Sequence, residues 1–155
     1  MKKTKHPKIP SWIGNYPFPP DQKKPILIRK GDQISQIYGE GNHLDTTPIY
    51  VSTDKILLGE YTVPPGQFFD PPDIHAGDEC YYCLEGVATI FDPVHGDVVQ
   101  MTPGSALLIP KGTWHQGFNF GDKNFRLIAV IAPKPWSDEM GTAIVFEGKS
   151  QFYKK

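Results

Sequence analysis

The chain has 155 residues, and its 16 Lys and Arg side chains nearly balance its 17 Asp and Glu side chains, for a net charge of −1. This length predicts one domain with a real core. The balance leaves no basic excess for a nucleic acid or an anionic membrane surface, so we expect neither partner. No apolar run is long enough for a signal peptide or for the roughly 20 residues that span a bilayer, so we expect a cytoplasmic protein.

The N-terminal stretch is rich in proline, with six prolines in residues 1–25. Proline lacks a backbone donor and is disfavoured in helix interiors and central strands, so we predict an extended arm. The aromatic residues Trp12, Tyr16 and Phe18 indicate that the arm docks on the rest of the protein or on a second subunit. We therefore divide the chain into an arm, residues 1–25, and a β-domain, residues 26–155.

From residue 26 onward, short β-type runs alternate with turn signals such as Pro103-Gly104 and Lys111-Gly112. In chain order the runs are PILIRK, PIYVS, KILLGEYTV, ECYYCLEG, VATIFD, DVVQM, SALLIP, TWHQGFNF, FRLIAVIAP and TAIVFEG. Many short strands at such spacing predict an all-β sandwich or barrel, and no long stretch has helical periodicity. Arg126 lies within an apolar run, where we expect it to face solvent, a charged partner or an anionic ligand.

The two cysteines, Cys80 and Cys83, have the spacing of redox and zinc motifs. A zinc site of that kind needs a second pair of ligands, and the chain has no third cysteine. Residues three apart on a strand point to opposite faces, so we interpret both as strand residues. The same alternation places Tyr81 on the face of Glu79 and places Tyr82 on the other face.

Three ionisable side chains lie close together in the stretch PPDIHAGDECYYCLEG, residues 71–86. Asp73 and His75 are two apart, so on a strand they share a face. The following AGD predicts a tight turn with Gly77 at a positive φ, after which Glu79 opens the next strand opposite His75. The predicted hairpin thus brings the three side chains together.

A second candidate stretch is GSALLIPKGTWHQGFN, residues 104–119. It predicts a strand, a turn at Lys111-Gly112 and a partner strand on which His115 lies just past the turn. If both hairpins belong to one barrel, the His115 imidazole meets the first cluster inside. We expect Asn119 to hold a turn.

These two stretches resemble the paired motifs of the cupin superfamily. The second motif is matched in full, by Gly104, Pro110, Gly112, His115 and Asn119. The matching residues of the first motif are His75, Glu79 and Gly86. Gly66 lies one residue too far upstream, and Asp73 stands where the first motif has a histidine. The resemblance covers residues 56–132 and implies a single-domain, all-β jelly-roll barrel.

The resemblance implies that His75, Glu79 and His115 are metal ligands, with Asp73 at the fourth position. Two histidines and one carboxylate form the facial triad of non-haem iron oxygenases. The oxygen of Asp73 favours Fe(II), Mn(II) or Zn(II) over copper, with Ni(II) a further candidate, and we favour Fe(II). Alternatively, Asp73 accepts a hydrogen bond from a ligand or acts as a catalytic base. Tyr81 either presents its hydroxyl to a substrate as a catalytic residue or packs in the core.

The ligand set predicts a metal-dependent cupin enzyme that acts on a small oxygen-rich molecule, such as a hydroxy acid, a keto acid or a sugar-like compound. Fe(II) favours dioxygenase chemistry, whereas Mn(II) or Zn(II) favours an isomerase, epimerase or lyase. The rival class is a non-catalytic barrel that binds a small molecule such as a sugar. The family and the aromatic arm together predict a homodimer.

Overall fold

The regular secondary structure of the described residues consists of antiparallel β-strands. The computed structural model describes residues 15–17, 23–40, 43–53, 55–69, 72–133 and 151–154. The strands in these ranges are β1 (Asn15–Tyr16), β2 (Ile34–Glu40), β3 (His43–Thr53), β4 (Leu57–Val63), β5 (Asp78–Glu85), β6 (Ala88–Phe91), β7 (Val98–Met101), β8 (Ala106–Ile109), β9 (Gln116–Phe118), β10 (Phe125–Ala132) and β11 (Gln151–Lys154). These ranges contain no helix long and apolar enough to cross a membrane. The all-β prediction is confirmed.

The strands form a large and a small sheet. The large sheet has the order β11-β2-β3-β4-β10-β5-β8, with β1 also paired to β3, and the small sheet has the order β7-β6-β9. Strand β10 lies between β4 and β5, so Ile128 faces Glu60 on one side and Tyr82 on the other. From β7 to β10 the chain alternates between the two sheets, and the crossing between β8 and β9 includes His115.

Regular alternation of burial along β5 and β10 builds the core. In β10 the buried residues are Phe125, Leu127, Ala129 and Ile131. In β5, Tyr81 is 3% exposed while Tyr82 is 47% exposed, as the alternation predicted. The thiols of Cys80 and Cys83 are free, the first exposed and the second buried, so the two point to opposite faces. Removing the inward side chains from water is the main stabilising term of this barrel.

Strand prediction was wrong near the start of the domain. The run PILIRK forms no strand, and Ile26 and Leu27 remain exposed because no neighbouring strand packs on them. Strand β2, which has only weak β-type alternation, was not predicted, yet it pairs with β3 and β11. PIYVS is part of the longer strand β3. The predicted strand TAIVFEG lies outside the described residues.

Both predicted hairpins are wrong, although their residues still meet. Strand β5 pairs with β10 on one side and β8 on the other, so neither edge is left for residues 73–75. Gly77 does not have a positive φ. Strand β8 pairs with β5, whereas β9 pairs with β6 in the small sheet, so the turn at Gly112 (φ +76°) joins two sheets.

Part of the predicted arm lies among the described residues. Asn15 and Tyr16 pair with Thr53 and Ser52 of β3. Tyr16 is buried, and its hydroxyl donates a hydrogen bond to the carbonyl oxygen of Asp32. This portion of the arm therefore docks on the sheet of its own chain, and the domain boundary at residue 25 stays a prediction.

Arg126 faces charged partners. Its Nε and Nη2 donate to Glu60 Oε1 at 3.1 and 2.8 Å, and its Nη1 donates to Glu85 Oε2 at 3.3 Å. These carboxylates raise the pKa of the guanidinium. Of the three environments expected for this residue, the structure shows the charged partner.

Gly86 provides a test of the turn between β5 and β6. Its φ is +74°, and a Cβ there would lie 2.3 Å from the carbonyl oxygen of Asn124. Gly96 has a similar φ of +78° with nothing within 4 Å of such a Cβ, so Gly96→Ala isolates the backbone strain. We expect Gly96→Ala to lower the free energy of unfolding by about 1 kcal/mol and Gly86→Ala by about 3 kcal/mol, measured by urea denaturation. Equal losses in the two variants would contradict the steric argument.

Candidate metal centre

Two main-chain hydrogen bonds join segments of the candidate metal centre that are far apart in the sequence. Asp73 N donates to His115 O at 2.7 Å, and His115 N donates to Asp73 O at 2.9 Å. This isolated antiparallel bridge fixes the two backbones side by side. The two segments pair directly with each other. This pairing brings Asp73 and His115 together, although neither predicted hairpin forms.

Two further hydrogen bonds hold the loop that leads to His115. Gly112 N donates to His75 O at 2.8 Å, and Lys111 N donates to Asp78 Oδ1 at 2.9 Å. Asp78 adjoins Glu79 at the start of β5, so it ties this loop to the strand that carries a candidate ligand. Sequence reasoning missed this role because Asp78 was interpreted only as part of a turn.

The structure brings the four predicted ligand side chains together. Glu79 Oε2 lies 3.4 Å from His75 Nε2 and 2.9 Å from His115 Nε2. Asp73 Oδ2 lies 3.4 Å from His75 Nε2, and the ligand atoms of Asp73 and the two histidines are all within 4.8 Å of one another. His75, Glu79 and His115 are buried, whereas Asp73 is 14% exposed. We call these four residues the ligand cluster.

The ligand cluster fits a divalent metal because its buried atoms lack hydrogen-bond partners. Both carboxylate oxygens of Glu79 and Nε2 of His115 are buried without one, so their 2.9 Å contact does not have hydrogen-bond geometry. Unpaired buried polar atoms are costly, and a cation among them would remove that cost. Asp73 Oδ1 accepts a hydrogen bond from Ile74 N at 3.0 Å, which leaves Oδ2 facing the cluster.

The backbone orients the His115 ring for coordination. His115 Nδ1 lies 3.1 Å from the carbonyl oxygen of Thr113, which assigns the Nδ1 proton to that hydrogen bond. In the neutral ring Nε2 then carries the lone pair, and Nε2 is the atom that faces Glu79. A backbone carbonyl that fixes the tautomer in this way is typical of metal-ligating histidines.

Charges within the ligand cluster shift the pKa values of Glu79 and His115. Burial opposes ionisation of Glu79, but His75 and His115 together outweigh it and lower the pKa of that carboxyl group. Burial likewise lowers the pKa of His115, but the contact with Glu79 and the charges of Glu79 and Asp73 raise it to about 9. Without a metal, His115 is therefore protonated at neutral pH beside an ionised Glu79. A metal ion and this proton compete for the same nitrogen.

Aromatic rings surround the His115 imidazole. The ring centroids of Tyr81 and Phe69 lie 5.9 and 6.2 Å from it, both edge-on, and the Tyr61 ring packs against Phe69 at 6.1 Å. Burial, followed by the charges of Glu79, Tyr61 and Asp73, raises the pKa of Tyr81 well above its ordinary value. Tyr81 is therefore a neutral hydrogen-bonding group. Sequence reasoning missed Phe69 and Tyr61, and no local motif marks either residue.

Asn119 holds a loop, as predicted. Its side-chain nitrogen donates to the carbonyl oxygens of Val63 and Lys123, both at 2.7 Å, and its Oδ1 accepts from Gly121 N at 3.0 Å. The side chain is fully buried. These side-chain contacts lie in the turn between β9 and β10 and at the end of β4, so the side chain supports the barrel and not the ligand cluster.

Comparison with known proteins agrees with this fold. Residues 59–131 match the family model of the cupin domain. This segment is a cupin domain. No curated protein matches the sequence.

Several solved structures from bacteria are similar to this chain. A polyketide cyclase from Streptomyces resistomycificus is 21% identical, with a TM-score of 0.59 over 77% of this chain and 92% of that chain. A predicted oxalate decarboxylase from Thermotoga maritima is 22% identical, with a TM-score of 0.58 over 70% and 99%. A Klebsiella pneumoniae protein with a double-stranded β-helix domain is 18% identical, with a TM-score of 0.55 over 76% and 91%. At these identities the likeness shows the fold alone.

Competition between proton and metal at His115 predicts pH-dependent metal binding. The nitrogen must lose its proton before it can coordinate, so below pH 9 the apparent affinity should fall by up to about tenfold for each pH unit. We expect a competition titration with a chromophoric chelator at pH 6.5, 7.5 and 8.5 to show this slope. Asp92→Asn, which alters the distant exposed pair of Asp92 and His95, should leave the slope unchanged. A dissociation constant independent of pH would contradict the assignment.

The hydrogen bond from Lys111 N to Asp78 predicts that Asp78 supports metal binding from outside the ligand cluster. Removing the acceptor frees the loop that carries His115, so Asp78→Ala should weaken metal affinity by about tenfold. Asp92→Ala is the matched control, because Asp92 Oδ1 also accepts backbone N–H groups in a loop, from Val94 and His95. Both variants should lose similar stability, and only the first should lose metal affinity in a chelator competition. Equal affinities would show that the loop holds its position without Asp78.

Proposed function

We propose that this cupin is a metal-dependent enzyme that acts on a small, oxygen-rich molecule. The observation that carries the proposal is the convergence of four ligand side chains on one point, where both oxygens of Glu79 and Nε2 of His115 are buried without a hydrogen-bond partner. Without a metal, Glu79 is balanced only by the charges of the two histidines, and a divalent metal would coordinate its oxygens, which have no hydrogen-bond partner among the described residues. The proposed ligands are Asp73, His75, Glu79 and His115.

The residues of the cluster have distinct proposed roles. Glu79 and the two histidines hold the metal, and Tyr81 donates a hydrogen bond to a substrate oxygen as a neutral phenol. Asp73 is the most exposed member of the cluster at 14%, so its Oδ2 is the ligand oxygen that an incoming substrate meets first. It serves there as a fourth ligand or as a proton acceptor. A divalent metal in this site would supply a Lewis acid, and Fe(II) would add dioxygen chemistry.

Two reaction classes follow from the metal that fills the site. His75, His115 and Glu79 have the composition of the facial triad, which supports an Fe(II) dioxygenase as the first candidate. Mn(II) or Zn(II) would support an isomerase, an epimerase or a lyase. A homodimer and a cytoplasmic location remain part of the proposal.

Metal content tests the proposal directly. Protein purified without chelator should hold about one divalent metal ion per chain by plasma mass spectrometry, and Glu79→Gln should reduce this to below about 0.1. Glu85→Gln is the matched control, because Glu85 ends the same strand, is exposed and contacts Arg126. Wild-type protein that holds no metal, even after titration with Fe(II), Mn(II) and Zn(II), would refute the proposal.

Oxygen uptake separates the reaction classes. With Fe(II) bound, a dioxygenase should consume oxygen only in the presence of an oxygen-rich substrate, measured with an oxygen electrode over a panel of hydroxy acids, keto acids, polyols and phenols. Product formed from the panel without oxygen, with Mn(II) or Zn(II) bound, would favour the isomerase or lyase. Stoichiometric metal and ligand binding without any product would favour the non-catalytic barrel.

A further inference from the structure

The carboxylate of Asp73 adds a negative charge to the ligand cluster. We propose that Asp73 makes this cupin select uncharged bidentate oxygen ligands, such as hydroxycarbonyl compounds or diols, over carboxylates. The inference rests on the metal-dependent function proposed above and narrows its substrate class. It excludes the simple hydroxy and keto acids as the preferred substrates.

The argument starts from the formal charge of the ligand cluster. The carboxylates of Glu79 and Asp73 cancel the two positive charges of a divalent metal, and metal-bound histidines are neutral. A histidine at position 73 would leave one positive charge, which a carboxylate ligand would neutralise. With Asp73 present, the same carboxylate would instead leave the buried site with a net negative charge.

The orientation of Asp73 makes this charge effective at the substrate position. Its Oδ1 is held by the Ile74 amide, and its Oδ2 faces His75 Nε2 at 3.4 Å. Its ligand atom lies within 4.8 Å of the ligand atoms of His75 and His115. A carboxylate that binds a metal held by these atoms would approach the Asp73 charge closely, within a range where like charges repel strongly.

The surroundings do not offset the repulsion. Among the described residues, the ion pairs of the ligand cluster join only its own members, and none of them includes a lysine or an arginine. Arg126, which was one candidate for anion binding, is engaged by Glu60 and Glu85. The Phe69 ring beside His115 adds apolar surface, and the Tyr81 hydroxyl donates equally well to a neutral or a charged oxygen ligand, so neither residue supplies the positive charge that an added carboxylate would need.

A matched pair of ligands tests the inference by binding alone. Lactate and lactamide share one hydroxycarbonyl skeleton and differ by one negative charge. Their affinities for the Mn(II)-loaded protein at pH 7.5 can be measured from paramagnetic relaxation of their methyl protons. Metal content is determined on the same samples, so that loss of metal is distinguished from loss of ligand preference.

Wild-type protein should bind lactamide at least as tightly as lactate. Asp73→Asn removes the charge with little change of shape, and Asp73→His also restores the imidazole of the usual cupin pattern. Both variants should shift the affinity ratio toward lactate by at least about tenfold, which corresponds to about 1.4 kcal/mol. Because Asp73→Asn is nearly isosteric, the test does not depend on whether the histidine variant folds.

Three results would overturn the inference, each for a different reason. Metal-loaded wild-type protein that prefers lactate would show that the Asp73 charge does not govern selection. An unchanged ratio in Asp73→Asn, with or without a shift in Asp73→His, would show that coordination and not charge sets the preference. A wild-type protein that holds none of Mn(II), Fe(II) and Zn(II) would refute the proposed function itself, and the inference would fall with it.

Discussion

The two main-chain hydrogen bonds between Asp73 and His115 are the constraint on which the rest of the site depends. They are the last rungs of an irregular antiparallel pairing in which Phe69 N donates to Gly117 O and Asn119 N donates to Gln67 O. This pairing carries the segment before β5, in the large sheet, along the start of β9, in the small sheet. These contacts involve only main-chain atoms. The distance between the two ligand segments therefore does not depend on which side chains they carry.

Packing around this pairing explains why a glycine follows His115 so closely. A Cβ on Gly117 would lie 2.2 Å from Cε1 of Phe69, so only glycine leaves the Phe69 ring its place. That ring is buried and meets the His115 ring edge-on, and the Nδ1 atom of His115 contacts the carbonyl oxygen of Thr113. The orientation of the His115 ring thus follows from a main-chain carbonyl and an aromatic neighbour, both supplied by the same pairing.

The sequence predicted the site residues better than the way the fold joins them. Alternation along a strand shows which side chains share a face, and it correctly separated Tyr81 from Tyr82. It does not show which strand lies beside which, so residues 73–75 were assigned to a hairpin with β5 although both edges of β5 are taken by distant strands. Phe69 and Asp78 were missed for the same reason, since their contacts with Gly117 and Lys111 depend on chain crossings that leave no local pattern.

The way Asp73 is held also explains how this chain can carry an aspartate where the cupin motif that it resembles has a histidine. The bridge to His115 uses only the amide and carbonyl groups of residue 73, so its side chain does not contribute to the pairing. The side chain is also the least buried of the ligand cluster, which keeps a change of size there away from the close-packed core. A change of side chain at Glu79 would disturb the core, because Glu79 is 1% exposed on a strand inside the large sheet and contacts both histidines. Position 73 is therefore the place in this barrel where the charge of the centre can change while the fold that builds the centre is preserved.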